Sequence, residues 1–173
     1  GEQGLTAENK IAQTYAYSWE NHFCEAGYLQ NRFATLVPDA EFDFRIFLKN
    51  LSAAMYKPLL YLIYYSQDPN LNQQWNIRKF NTCLPLQPRR EELAENGKAY
   101  IEKVKTLFAE ALETLQRPAM MTNEYLNEEN AYLHTQGHQI YKFVLQIDTL
   151  LCRKANVAFK SDILDKATHT NGY

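Results

Sequence analysis

Glu41-Phe42-Asp43-Phe44-Arg45-Ile46-Phe47 alternates side chains of opposite character: in an extended chain Phe42, Phe44 and Ile46 fall on one side, Glu41, Asp43 and Arg45 on the other. A greasy face and a charged face at period two predict a short strand. No other stretch repeats the pattern, and one strand among helices cannot make a sheet within a single chain. It pairs with a strand of another molecule, or it is not a strand.

Two copies in a homodimer form an antiparallel ribbon of the kind that enters the major groove of double-stranded DNA, with outward side chains against base edges. On this reading Arg45 is the principal base reader, placed for guanine, and Glu41 or Asp43 accepts from cytosine. Lys49 and Asn50 follow at the start of the next helix, where backbone amides favour a phosphate. The plainer reading is an edge strand with a solvated face. Two acids among three outward positions also oppose a polyanion.

On the C-terminal side of this segment, Leu51, Met55, Leu59, Leu62 and Ile63 predict a helix over 50–66, capped by Asn50 or Ser52 and kinked or restarted at Pro58. On the N-terminal side, Ile11, Tyr15, Trp19, Phe23, Ala26 and Leu29 draw one stripe along a helix over 6–29, with Gly27 fraying its end and Pro38-Asp39 marking the boundary. Ser66 to Asn70 is a breaker. A short helix through Leu71, Trp75, Arg78 and Lys79 follows and ends before Pro85 and Pro88.

Between Arg89 and Gln116, Leu93, Gly97, Tyr100, Val104, Leu107, Ala111 and Leu115 keep a near-heptad seam flanked by Ile101, Phe108 and Leu112. A polar loop over 120–130 leads to a second long helix over 130–153, with its seam at Leu133, Gly137, Ile140, Val144, Ile147 and Leu151. These two long helices are expected to pair antiparallel. Ser161 resembles the cap of a last short helix through Ala167, and 168–173 should fray.

The expected fold is therefore mainly α: one helical domain over 1–173, comprising an N-terminal helix within 1–37, a ribbon-helix region at 41–66 and a long helical hairpin at 89–153. Length agrees, since 173 residues at 46% hydrophobic and 22% charged make one ordinary globular core. Eighteen basic against 20 acidic residues leave a net charge of −2, so no global positive field draws the chain to nucleic acid or anionic lipid. Any such binding must use a local patch. The 12 Tyr, 9 Phe and 2 Trp hint at a partner surface, so a helical protein-protein interaction or assembly module without catalysis stands as the alternative to a dimeric DNA-binding regulator.

Cys24, Cys83 and Cys152 form neither a disulfide framework nor a zinc ribbon, which favours a reducing, cytoplasmic setting. The longest apolar run, Leu59 to Tyr65, includes Tyr61, Tyr64 and Tyr65 and falls far short of the ~20 residues of a membrane span. No phosphate loop, dinucleotide fingerprint or nucleophile signature is present, so neither an enzyme nor a cofactor is expected.

One catalytic alternative has a physical basis. His134 and His138 lie four apart on the expected last helix and point the same way, and His22 on the first helix could complete a three-His metal site like that of the DinB-like helical-bundle enzymes. No carboxylate sits between the pair, and surface or half-buried histidines are the commoner outcome. Asp148, beside the seam of the last helix, calls for a basic or hydroxyl partner.

Several stretches in order resemble the AcaB-like transcriptional regulators of integrating conjugative elements and conjugative plasmids. They are a helix reading LSAAMYKPLLYLIYYSQ into Asp68-Pro69, then Trp75, a long charged helix, a loop, and YKFVLQIDTLL over Tyr141 to Leu151 ahead of Arg153. The resemblance covers about 42–167 and implies a regulator of conjugation genes, a homodimer with an atypical ribbon-helix-helix region that binds DNA. The sequence departs from that pattern at Gln67, where the family doubles the acid, at Asn70 in place of an aromatic, and in the position of Arg153.

Overall fold

The computed structural model describes residues 19–38, 40–118 and 125–151, with Trp19 and His138 described by their backbone alone. The helix expected over 6–18, the short helix after Ser161, and Cys152 and Arg153 lie outside the described residues. Within them the chain is mainly helical: α1 Trp19–Phe23, α2 Ala26–Leu36, α3 Phe44–Tyr65, α4 Pro69–Gln74, α5 Ile77–Thr82, α6 Ala94–Leu112 and α7 Gly137–Leu151. Short 3-10 turns at Arg90–Leu93 and Ala131–His134 precede α6 and α7.

The strand expected at 41–47 is not formed. Phe44 to Ile46 are the first turn of α3, and Asp43 is its N-cap, its side chain accepting from the backbone N–H groups of Arg45 and Ile46 at 2.8 and 3.4 Å. Phe42 before the cap packs on Phe47 in the second turn, ring centroids 5.4 Å apart, a hydrophobic staple that fixes how the chain enters the helix. The apolar set is then Phe44, Phe47, Leu48, Leu51 and Met55, all buried at helical spacing, while Ile46 is 47% exposed. Asn50 and Ser52 are therefore interior to α3 and cap nothing.

Two side chains from elsewhere hold the capped end. Gln30 of α2 accepts from the Phe44 N–H and Asn96 accepts from the Asp43 N–H, each at 2.7 Å. Asn96 belongs to a left-handed turn, Glu95, Asn96 and Gly97 at φ 49°, 53° and 75°, which interrupts the start of α6. Helical geometry resumes after Gly97.

The cap has a measurable pH signature. The Arg45 guanidinium, with the backbone N–H groups of Arg45 and Ile46, holds the Asp43 carboxyl below the usual carboxylate range. A depressed folded-state value contributes stability above the unfolded value of about 3.9, and that contribution is lost as pH falls through the folded value. Asp43→Asn, which keeps a capping oxygen, should flatten the acid limb of a stability-against-pH curve below about pH 4. Asp43→Ala should cost about 1 kcal/mol at neutral pH. Urea titrations across pH check both.

α3 is the hub. It packs on α2, on α6 and on the 3-10 turn at Ala131–His134, whereas α7 packs chiefly on α1. The two long helices expected to pair with each other thus take different neighbours and meet where Tyr100 and Phe143 stack at 5.1 Å. α3 and α6 run parallel: Phe47 lies against Tyr100 near the start of both, and the Tyr65 hydroxyl at the end of α3 donates to the Gln116 carbonyl just beyond α6 at 2.9 Å.

Parallel neighbours require the intervening chain to return along their length, and residues 66–93 do so. Asp68 caps α4 with Pro69 at its first position, so Pro69 and Asn70 of the expected breaker are helical and only 66–68 break the chain. Trp75 interrupts the single short helix expected there, and Asn76 caps α5. The Trp75 indole N–H donates to the Pro58 carbonyl at 3.2 Å, with Phe80 and Phe108 around its ring. α3 continues through Pro58 without the restart expected. Further back toward the start of α6, Tyr100 donates to the Pro85 carbonyl at 3.0 Å. Glu92, nearly buried, accepts from the Arg89 N–H and from Lys103, and both hold its carboxyl below the usual range.

At the other end of the chain, a helix running uninterrupted through 130–153 is not formed. Asn21 of α1 donates its side-chain amide to the carbonyls of Leu133 and Thr135 at 2.8 and 3.0 Å, and Thr135 donates to Tyr132. With those carbonyls taken by side chains, the helix breaks before Gly137. α1 and α2 are likewise separated at Cys24-Glu25, where Glu25 caps α2 through the N–H groups of Gly27 and Tyr28. Gly27 lies in the first turn of α2 and frays nothing.

Candidate functional site

The DNA-reading residues expected on one ribbon face are dispersed by the helix. Glu41 is exposed ahead of the cap. Asp43 is turned back onto the backbone and onto Arg45, whose Nη2 lies 2.7 Å from Oδ2 and Nε 3.2 Å from Oδ1. Lys49 Nζ sits 3.5 Å from Glu129, and Asn50 is exposed beside it. Arg45, Lys49 and Asn50 do share the solvent face of the first turns of α3. Asp43 thus gives Oδ1 to the helix cap and Oδ2 to the Arg45 guanidinium, in place of a position on a ribbon face.

The metal alternative loses its geometric premise. His134 ends the 3-10 turn and His138 lies in the first turn of α7, so the two are not a turn apart on one helix. Burial pushes the His134 imidazole below its ordinary value, opposed by its hydrogen bond to the Tyr125 backbone. Among the described residues, no group of three or more His, Cys, Asp or Glu side chains is placed to hold a metal ion.

Both described cysteines are buried, and burial pushes each thiol up, away from the reactive thiolate. Asp148 is buried on α7, as its place beside the seam implied. Among the described residues, no helix is long and apolar enough to cross a membrane.

The feature that sequence reading passed over is a groove of about 430 Å³ along the α3 and α6 pair. Its floor is apolar, made by the buried Pro58, Tyr61, Phe108 and Leu112. Ala53 and Ala54 on α3 and Ala109 on α6 keep its walls low. Lys57, Lys105 and Glu113 supply the charge. The Lys57 ammonium lies 5.9 Å from the centroid of the Tyr61 ring, a cation-π arrangement. Lys105 is 2.7 Å from Glu102 in an exposed pair of the kind worth little in water.

Chemically, the groove offers apolar area and fixed charge. Among the described residues that line it, no nucleophile stands with a base and no two carboxylates are paired. A second, smaller space between Leu51, Tyr100, Ile140 and Phe143 is enclosed by core side chains. Comparison of the chain with protein-family models, with curated proteins and with solved structures returns no match.

Proposed function

We propose that the chain is a noncatalytic helical interaction domain that binds another protein through the groove between α3 and α6. The observation that carries this reading is the groove itself: a concave apolar floor between two long helices, rimmed by charge and free of catalytic groups. The surface charges support it. Arg45, Lys49, Arg89, Lys98, Lys103 and Lys105 each have a carboxylate within 4.0 Å, and the net charge of −2 supplies no overall positive field for a polyanion.

One observation favours a second reading, the dimeric transcriptional regulator implied by the likeness to AcaB-like proteins. Arg45, Lys49 and Asn50 occupy the exposed N-terminal turns of α3, the part of a recognition helix that meets base edges in helix-based DNA binding. Base reading would then come from a helix instead of a ribbon, with Arg45 released from Asp43.

Two measurements on the full chain separate these readings. A photo-crosslinking residue at Ala109 should yield a discrete protein adduct in cells, and one at Ser66, outside the groove, should not. Gel shifts with the chain's own upstream DNA at two salt concentrations should show no specific complex. A complex that weakens as salt rises and loses about 1 to 3 kcal/mol on Arg45→Ala would reject the interaction domain in favour of the regulator.

A further inference from the structure

We propose that the occupant of the α3 and α6 groove is an amphipathic helix of a partner protein, running antiparallel to both helices and carrying carboxylates toward its C-terminal end. This rests on the reading of the groove as a protein-binding face and adds the chemistry and direction of what fills it.

The direction follows from charge order. Because α3 and α6 are parallel, positions along the groove can be compared across the two helices. Lys105 lies a turn before the floor residue Phe108 at one end, whereas Lys57, between Ala53 and Tyr61 on α3, stands level with the middle of the groove. Glu113 follows Leu112 at the other end. Lys105 and Glu113 are therefore separated by roughly 12 Å along the α6 axis at 1.5 Å per residue.

A helix laid in this groove places the negative end of its dipole at Lys105 only if it runs antiparallel, and its N-terminus then meets Glu113. Carboxylates on its C-terminal half then meet Lys105 at the end of the groove and Lys57 nearer its middle. Lys57 has no carboxylate partner among the described residues, and Lys105 has only its exposed helical neighbour. The low alanine walls permit close approach of a backbone, and about two turns of floor accommodate apolar anchors at i, i+3 or i+4, and i+7.

A second copy of this chain fits less well. An isologous contact through this groove would oppose one concave face to another.

The test is a titration of the isotopically labelled full chain with an 18-residue synthetic amphipathic helix bearing leucines at that spacing and glutamates on its flanks. The same peptide with lysine for glutamate is the comparison. Amide shifts are expected at Ala53, Lys57, Ala109 and Glu113, with the glutamate peptide bound about tenfold more tightly at low salt. Lys57→Glu combined with Lys105→Glu should reverse that preference. A spin label on the peptide's C-terminus should broaden Lys105, and one on its N-terminus Glu113.

Groove shifts of equal strength for both peptides, or the opposite broadening pattern, overturn the acidic antiparallel occupant while keeping the protein-binding face. Shifts away from the groove for both peptides, together with no adduct at Ala109, overturn that face as well. Doubling of mass with groove shifts and no peptide present assigns the face to a second copy, which also overturns the proposal.

Discussion

Gly97→Ala is expected to destabilise the protein by about 3 kcal/mol, read as a lowered urea midpoint with an unchanged slope. Two independent costs combine. Gly97 has φ 75°, and an L residue held in the left-handed region costs about 1 to 2 kcal/mol. A β-carbon there would also stand 2.5 Å from both Cδ2 and Cε2 of Phe47. Phe47 cannot swing away, because Phe42, Tyr100 and Phe143 surround its ring. Overpacking of this kind costs about 1 to 3 kcal/mol. In a Phe47→Leu background the steric part should shrink and the backbone part remain, leaving Gly97→Ala at about 1 to 2 kcal/mol. Strict additivity of the two substitutions would mean that Gly97 and Phe47 do not touch.

Trp75→Ala should cost about 3 to 5 kcal/mol, the range for deleting a large aromatic side chain from a core. Trp75 is 1% exposed, and it joins the returning segment 66–93 to both parallel helices, to α3 through the Pro58 carbonyl and to α6 through Phe108. Trp75→Phe keeps most of the packing and loses the indole donor, so a smaller cost of about 1 kcal/mol is expected. Equal losses for the two variants in chemical denaturation would show that the hydrogen bond, and not the packing, ties the segment down.

Much of the helical content was legible, and so was the core of α6. Tyr100, Ile101, Val104, Phe108 and Leu112 are buried as their spacing implied, whereas Leu107, Ala111 and Leu115 are only partly so. A 3.6-residue helix drifts away from a strict seven-residue seam, which accounts for that rotation. The boundary at Asp68-Pro69 was readable because the cap and the proline act locally.

The segment at 41–47 misled because phenylalanines at 42 and 44 satisfy period two, while Phe44, Phe47 and Leu48 satisfy the helix equally well. The deciding signal was Asp43 between two phenylalanines that staple across the cap. Periodicity also identifies which face of a helix is buried and not which neighbour covers it. The parallel pairing of α3 with α6 depends on Trp75, Gly97 and Asn96 acting over long separations, and so the groove between them had no local signature.

Proton-proton Overhauser contacts at Phe47 test the central structural claim most directly. If α3 begins at Phe44 and is seated on the left-handed turn, the amide protons from Phe44 to Lys49 show sequential contacts with one another, and the Phe47 ring shows strong contacts to the Gly97 α-protons. Strong α-proton to amide contacts along Glu41 to Phe47, with cross-strand contacts that persist between differently labelled subunits, would restore the two-chain ribbon and contradict the hub helix.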